Sequence, residues 1–300
     1  MIFGFWLLKL ALSSALAASP STMVEVITAS KPADWRALDA ENTLYLELPA
    51  GRVIIELAPD YAPKHVANVK ALSREHYWDG LAIVRSHDNY VVQWADPNGE
   101  DAKKKRPIKT AQATLAAEFD RELDSKLPFV KLPDSDVYAK EVGFFGGFPV
   151  ARDRKSKKTW LLHCYGAVGA GRDEPADSGG GTELYAVTGH APRHLDRNVT
   201  LLGRVVLGME LLSALPRGKG ALGFYEKPAE RTPIQSIRLA SDLPEAKRTP
   251  LEALRTDTAT FQKLIESRRN RPEKWFKHQA GKIEICNVPL PIRRVTAVAK

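Results

Sequence analysis

The sequence is poor in cysteine, and it lacks metal-ligand spacing and phosphate-binding motifs. Its 300 residues include only two cysteines, Cys164 and Cys286, and its seven histidines show no metal-ligand spacing. The polar stretch Asp173 to Gly181 is rich in glycine, but it lacks the glycine spacing and the following lysine of a phosphate cradle. We therefore expect neither a metal centre nor a phosphate cradle. The two cysteines lie in apolar surroundings and could form a disulfide or stay apart, and the sequence leaves both options open.

Long apolar runs are also rare, and the longest of them lies at the N-terminus. Residues 1–18 are typical of a secretory signal peptide, with Ala15-Leu16-Ala17 as a small-residue cleavage site. Lys9 interrupts the run, no basic residue precedes it, and the run is short for a membrane span. We predict a periplasmic or secreted bacterial protein with no membrane span once the signal is removed. An uncleaved membrane anchor is the alternative.

The positive charge is not arranged like a nucleic-acid groove. The net charge is +8 and the pI is about 9.4, and the basic residues cluster at 103–106 and 152–158. Neither cluster alternates with stacking aromatic residues, so we expect no nucleic-acid partner and attribute the charge to solubility and steering. Binding of anionic polymers through these two clusters is a minor alternative.

The first ordered region is a hairpin followed by a helix. Residues 44–48 and 53–57 alternate apolar and polar residues around a turn at 49–52, which predicts two antiparallel strands. Pro63 is suited to the first turn of a helix, and Val66, Val69 and Leu72 then give that helix one apolar face.

The rest of the central region is rich in predicted strands. Strands are expected at 182–187, 199–206 and 234–239, with a short helix at 208–215. This pattern favours a mostly β fold, a closed antiparallel β-barrel of about eight strands capped by two helices, over alternating βαβ units. The pattern is weak between about 120 and 160, apart from a turn between two aromatic strands at 143–148, and we interpret this region as an insertion.

The sequence thus divides into a signal peptide (1–18), an N-terminal leader (19–42), a barrel (43–241) and a C-terminal extension (242–300). In the extension, Thr249-Pro250-Leu251-Glu252 combines an N-cap, an N1 proline and an acidic third residue, which predicts a helix from there to about Arg269. A final strand is expected at 282–288. So short an extension is expected to pack on the barrel, where it and the insertion could border a groove or cover a barrel edge.

Arg85 is the residue that most needs an explanation. It follows Ile83 and Val84 in a predicted strand, and arginine is seldom buried without a partner. It could point to water from an edge strand. Alternatively it could lie on the floor of a groove beside Gln93, its neighbour across a hairpin, where both side chains would bind the backbone of a ligand.

Several motifs in this order resemble the cyclophilin-type peptidyl-prolyl cis-trans isomerases. The similar segments are 51–57, Ala62-Pro63-Lys64-His65-Val66-Ala67-Asn68, Tyr77-Trp78-Asp79-Gly80, Ile83-Val84-Arg85, Tyr90-Val91-Val92-Gln93, 166–171, 182–185 and 202–209. The likeness covers about residues 43 to 240. It implies a cyclophilin barrel, no cofactor, proline-containing polypeptides as partners, and a monomer.

The resemblance also implies a site. Arg85 would be the catalytic arginine and Gln93 its partner, and the substrate-binding residues would be Tyr90, Val91, Gly171, Arg172, Glu183, Tyr185 and Leu195. The chain departs from the family at Val84, Trp94 and Ala95, at Glu183 in place of a glutamine, and at tyrosines in place of the pocket phenylalanines. The implied function is an isomerase that assists folding outside the cytoplasm. The alternative is a proline-peptide binding or scaffold module without activity.

Overall fold

The computed structural model describes residues 21–124 and 127–295. The predicted signal peptide at 1–18 lies outside these residues. Within them, no helix has both the length and the apolar character needed to cross a bilayer.

The described chain contains four α-helices and many short strands. The helices are α1 (Met23–Thr28), α2 (Pro63–Arg74), α3 (Met209–Ser213) and α4 (Ala259–Asn270). The strands are β1 (Trp35–Ala37), β2 (Thr43–Leu48), β3 (Gly51–Leu57), β4 (Ala82–Ser86), β5 (Val91–Ala95), β6 (Arg121–Glu122), β7 (Val130–Lys131), β8 (Glu141–Phe145), β9 (Phe148–Asp153), β10 (Lys158–Leu161), β11 (Ala167–Ala170), β12 (Leu184–Val187), β13 (Leu201–Leu207), β14 (Thr232–Pro233), β15 (Ser236–Leu239), β16 (Leu251–Leu254) and β17 (Ile292–Arg294).

Nine strands form the barrel sheet, in the order β14-β4-β5-β12-β11-β13-β3-β2-β15, and every pairing is antiparallel. The two edge strands are consecutive in sequence, and the residues between them bridge the edges. The Ile234 N–H donates to the Leu81 carbonyl at 2.8 Å, and the Gln235 N–H donates to the Glu47 carbonyl at 2.9 Å. The prediction of a mostly β, antiparallel barrel is confirmed, with nine strands instead of about eight.

The barrel encloses the largest apolar core, and α2 and α3 pack against it. Val66, Val69 and Leu72 of α2 are buried in this core, as their helical spacing predicts. Leu212 of α3 is buried in it too.

The predicted insertion is an ordered five-stranded sheet, in the order β6-β10-β9-β8-β7, with a turn at Gly146-Gly147. Its side chains alternate between two apolar layers because successive residues of a strand face opposite sides. Val150 and Leu161 pack with barrel residues that include Tyr185, whereas Ala151 and Trp160 pack with Phe261 and Leu264 of α4.

The predicted helix start at Thr249 is wrong. Leu251–Leu254 forms β16, which lies between β1 and β17, and α4 begins later with Thr258 as its N-cap. Pairing with β1 and β17 gives this segment partners on both sides, and the Thr249 N–H donates to the Tyr45 hydroxyl at 2.9 Å. Tertiary contacts therefore outweigh the local helix signal. The strand predicted at 282–288 is also wrong, since Ile285–Asn287 is a 3-10 turn and the final strand is β17.

Covalent and ionic contacts join the leader, barrel, insertion and extension. A disulfide connects Cys164 to Cys286, 122 residues apart, which decides between the two options left open by the sequence. Glu56 of β3 accepts hydrogen bonds from the buried Arg204 of β13 and pairs with Arg36 of β1 at 2.6 Å. Arg36 also donates to the Gly146 carbonyl of the insertion.

Candidate active site

A single cleft of about 1100 Å³ is lined by all nine residues that the sequence singled out. The registers of the barrel strands explain why they meet. Arg85 of β4 lies opposite Gln93 of β5, Gln93 lies opposite Tyr185 of β12, and Tyr185 lies opposite Gly169 of β11. These four residues form one row across four strands on the outer face of the barrel.

A β-bulge places Arg85 on this face. The pairing of β4 with β5 shifts between Ile83 and Arg85, so Val84 is the extra residue. Ile83 is fully buried in the barrel core, and regular alternation would have returned the side chain of Arg85 to that core. The bulge instead turns Arg85 outward beside Gln93. The structure thus favours the groove-floor interpretation of this arginine over an edge strand pointing to water.

The Arg85 guanidinium is held by three groups. Its Nε donates to the Leu222 carbonyl at 2.6 Å, one Nη donates to Gln93 Oε1 at 3.2 Å, and the other lies 3.2 Å from His87 Nδ1. Since arginine has no acceptor, His87 Nδ1 must accept this hydrogen bond. Burial lowers the pKa of Arg85, but the group remains charged. These bonds use only part of its N–H donors, so it can still donate to a ligand in the cleft.

Gln93 connects Arg85 to Glu183. Its Oε1 accepts from Arg85, and its Nε2 donates to Glu183 Oε2 at 2.7 Å, which fixes the orientation of the amide. Burial raises the pKa of Glu183, and the hydrogen bond from Gln93 acts in the opposite direction with a smaller effect. Gly171 packs beside this pair, because a Cβ at its position would lie 3.4 Å from Gln93 Nε2.

Tyr90, Val91, Tyr185 and Leu195 form the apolar part of the cleft. Val91 and Tyr185 are buried, and Tyr90 is half-buried with its ring edge-to-face on His87 at 5.2 Å. The Tyr185 hydroxyl lies 2.9 Å from His163 Nε2, which supplies the partner that a buried tyrosine needs.

Arg172 lies in the cleft wall but has other partners. Its guanidinium donates to the backbone carbonyls of Asn198, Asp173 and Glu174, at 2.9, 2.6 and 2.9 Å. These contacts order the glycine-rich loop from Asp173 to Gly181.

The sequence interpretation missed several residues of this site. Leu222 and Phe224 belong to a segment for which no element is predicted, yet Phe224 forms a β-bridge with Arg85 and its ring lies 5.2 Å from the guanidinium. His163 has no role in the sequence interpretation, and a histidine next to a cysteine in an apolar stretch was the one available signal. Across residues 21–124 and 127–295, no group of three or more His, Cys, Asp or Glu side chains could hold a metal.

Comparison with known proteins identifies the same family that the sequence motifs resemble. The family described as cyclophilin type peptidyl-prolyl cis-trans isomerase/CLD matches residues 43–239. A probable peptidyl-prolyl cis-trans isomerase of Brucella suis biovar 1 (strain 1330) is 28% identical over 208 residues, which are 67% of this chain and 83% of the relative. A putative bifunctional phosphatase/peptidyl-prolyl cis-trans isomerase of Streptococcus pyogenes serotype M6 is 24% identical over 219 residues, which are 70% of this chain and 42% of the relative.

Among solved structures, this chain is similar to the cyclophilin AquaCyp293 from Hirschia baltica. The TM-score is 0.69 at 23% identity, and the match covers 87% of this chain and 93% of that one. At this identity the likeness concerns the fold. The match covers more of the chain than residues 43–239, so the likeness also includes residues outside that range.

Proposed function

Because the chain belongs to the cyclophilin-type peptidyl-prolyl cis-trans isomerases, we propose that the cleft around Arg85 is its active site. In this proposal Arg85 and Gln93 act on the X-Pro bond, and Tyr90, Val91, Tyr185 and Leu195 hold the proline ring. The observation that carries the proposal is the row of Arg85, Gln93 and Tyr185 across three paired strands, with a cation, an amide and an aromatic ring on one open face.

The chemistry requires only a well-placed donor. Rotation about an X-Pro bond breaks amide resonance, at a barrier of about 18–20 kcal/mol. In the twisted transition state the proline nitrogen regains a lone pair, which a guanidinium N–H can bond more strongly than in either planar state. An interaction that is stronger in the transition state than in the ground state accelerates the reaction.

Glu183 has a supporting role in this proposal. Its carboxylate and Arg85 bind opposite ends of the Gln93 amide, so Gln93 presents a second N–H from a fixed position. That N–H would bind a backbone carbonyl of the polypeptide. Gly171 and the loop that Arg172 orders would then lie along the peptide backbone.

We further propose that the barrel of residues 43–241 carries the activity. In this proposal the insertion (about 120–160) and the extension (242–300) stabilise the barrel by packing. The insertion packs with Val91 and Tyr185 of the proposed proline pocket in one apolar cluster. The extension in turn packs on the insertion through α4, and the disulfide joins it to Cys164, which follows the insertion in the chain. None of the residues that line the cleft belongs to the insertion or to the extension.

We also propose that the protein assists folding outside the cytoplasm, as a monomer that acts on proline-containing polypeptides. The N-terminal sequence pattern and the Cys164–Cys286 disulfide support this location, because disulfides persist in oxidising compartments. Cell fractionation and the mass of the mature protein test it. Loss of about residues 1–18 and recovery outside the cytoplasm are expected, and a full-length cytoplasmic product would contradict the proposal.

The activity itself is tested by exchange between cis and trans forms of an Ala-Pro peptide, measured by NMR without a coupled protease. We expect the wild type to accelerate exchange and Gln93→Leu to retain much less activity. Gln112→Leu, at a glutamine outside the cleft that uses its backbone to pair with Asn68, should match the wild type. Equal rates for the wild type and Gln93→Leu would reject the proposed site.

A further inference from the structure

A buried polar network begins at the back of the proposed proline pocket. The Tyr185 hydroxyl lies 2.9 Å from His163 Nε2, and His163 Nδ1 lies 3.0 Å from Asp196 Oδ1. The backbone N–H of His163 donates to the same carboxylate oxygen at 2.9 Å. His163 is completely buried and does not line the cleft, so it can affect the cleft only through the residues that it contacts.

The chemistry of the partners determines where the protons lie. An ionised Asp196 only accepts, so His163 Nδ1 carries the proton and Nε2 accepts from the Tyr185 O–H. Burial lowers the pKa of His163 and raises the pKa of Tyr185, which keeps both groups neutral. In the Tyr185–His163–Asp196 chain, the tyrosine hydroxyl therefore donates to the histidine, and the histidine donates to the aspartate.

The same network holds a second wall of the pocket. Asp196 Oδ2 accepts from Arg193 Nε, and Arg193 donates two parallel hydrogen bonds to Asp136 of the insertion, at 2.9 and 3.1 Å. Leu195 lies between Arg193 and Asp196, in the 3-10 turn Arg193–Leu195 and its cap. Fixing Asp196 thus fixes the turn that carries Leu195.

The Tyr185 ring is confined from the other side by Gly169. A Cβ at Gly169 would lie 2.4 Å from the Tyr185 hydroxyl oxygen, so only glycine leaves room for a tyrosine here. The ring is therefore set against the backbone of β11 and tied by its hydroxyl to His163. Its hydroxyl points away from the cleft, and the ring presents an apolar face to it.

We propose that His163 is a positioning residue that sets the width of the proline pocket by fixing the Tyr185 ring and, through Asp196, the Leu195 turn. This inference rests on the proposed function, in which Tyr185 and Leu195 contact the proline ring. It predicts an effect on substrate binding more than on the rotation step, because Arg85 and Gln93 are untouched.

A double-mutant cycle tests the inference. His163→Leu leaves the buried Tyr185 hydroxyl without its acceptor, and we expect KM for an Ala-Pro peptide to rise about 10-fold while kcat changes less than about twofold. Removing both partners of a buried hydrogen bond costs far less than removing one. Tyr185→Phe combined with His163→Leu should therefore return KM to within about threefold of the wild type. His278→Leu, at an exposed histidine of the extension, is the control and should have no effect.

Rescue by Tyr185→Phe is the outcome that a merely structural histidine would not produce. If His163→Leu raises KM by the same factor in the wild-type background and in the Tyr185→Phe background, the inference is overturned. The wild-type protein offers the tautomer of His163 as a second readout, and this readout does not depend on folding of a variant. The 15N spectrum of its histidines should show His163 protonated at Nδ1 and not at Nε2, with an Nε2 shift that changes in Tyr185→Phe. The opposite tautomer, or an unchanged shift, would also overturn it.

If the proposed function is wrong, the experiments give a different set of results from those expected if only the role of His163 is wrong. In that case the wild type neither accelerates exchange nor binds the Ala-Pro peptide in an NMR titration, while the His163 tautomer is as stated. If instead the peptide binds and is turned over but the cycle shows no coupling, only the role of His163 is rejected.

Discussion

Replacing Arg85 with alanine removes the donor on which the proposed mechanism depends. The guanidinium makes hydrogen bonds to the Leu222 carbonyl, Gln93 and His87, and it retains donors for the substrate. Loss of one preorganised donor to developing charge typically costs about 10²–10³ in rate, or about 2.7–4 kcal/mol of transition-state stabilisation. We therefore expect kcat/KM of Arg85→Ala to fall about 10²–10³-fold. Gln93 also loses the contact that fixes its amide oxygen. We therefore expect the fall in kcat/KM to lie toward the upper end of this range.

The fold should survive this change. Leu222 is 65% exposed, so we expect water to bind its carbonyl when Arg85 is absent. The net value of such a hydrogen bond is about 0.5–1.5 kcal/mol, a small loss for a domain of this size. Urea unfolding of Arg85→Ala should show this small loss of stability. Cis-trans exchange of the Ala-Pro peptide should show the large loss of activity.

Two further variants provide a matched control and a test of whether the charge at Arg85 is sufficient without the guanidinium geometry. Arg217→Ala is the matched control, because this arginine is exposed and bonds Asp88 and the Ser213 and Leu215 carbonyls. It should retain full activity. Arg85→Lys keeps the charge but has no planar fork, and we expect it to remain at least about 10-fold below the wild type. An Arg85→Ala variant that is folded and keeps more than half of the wild-type kcat/KM would refute the mechanism.

The remaining predictions concern stability and pH. Reducing the Cys164–Cys286 disulfide, which spans 122 residues, should cost up to about 5 kcal/mol of unfolding free energy. An unchanged urea midpoint after complete reduction would contradict this. Glu56→Ala leaves the buried Arg204 without its carboxylate and should cost about 3–5 kcal/mol, whereas Glu41→Ala on the surface should cost less than about 1 kcal/mol in the same urea titration. Burial raises the pKa of Glu183, so the stability that this group contributes is complete below its unfolded pKa and is lost as the pH rises through its folded pKa. In urea titrations, the stability of Glu183→Gln relative to the wild type should therefore increase as the pH rises above the unfolded pKa of Glu183, and a stability difference that does not change with pH would contradict this.

Local sequence patterns were sufficient for the barrel. The alternation at 44–48 and 53–57, the apolar face of the helix from Pro63 and the ordered motifs from Gly51 to Met209 depend on near neighbours, so they predicted the strands, the helix and the family. The candidate site followed because its residues stand in those motifs. The same local logic failed at Thr249. The residues after Thr249 have a helix-start pattern, yet they form β16. The strands that pair with β16 lie more than 200 residues earlier and about 40 residues later in the chain, so a local pattern could not predict them.

The tertiary structure alone decided how the site is held. The bulge at Val84 turns Arg85 out of the core, and no periodicity of a single strand reveals a shift in its pairing. The disulfide and the Tyr185–His163 bond join residues 122 and 22 positions apart, so their geometry exists only once the strands have assembled. The sequence by itself thus predicted the strands and the helix of the barrel from local alternation, and the resemblance of its motifs to a known family implied the family and the cleft residues. Their orientation, partners and protonation depend on strand register and burial, which only the packed fold provides.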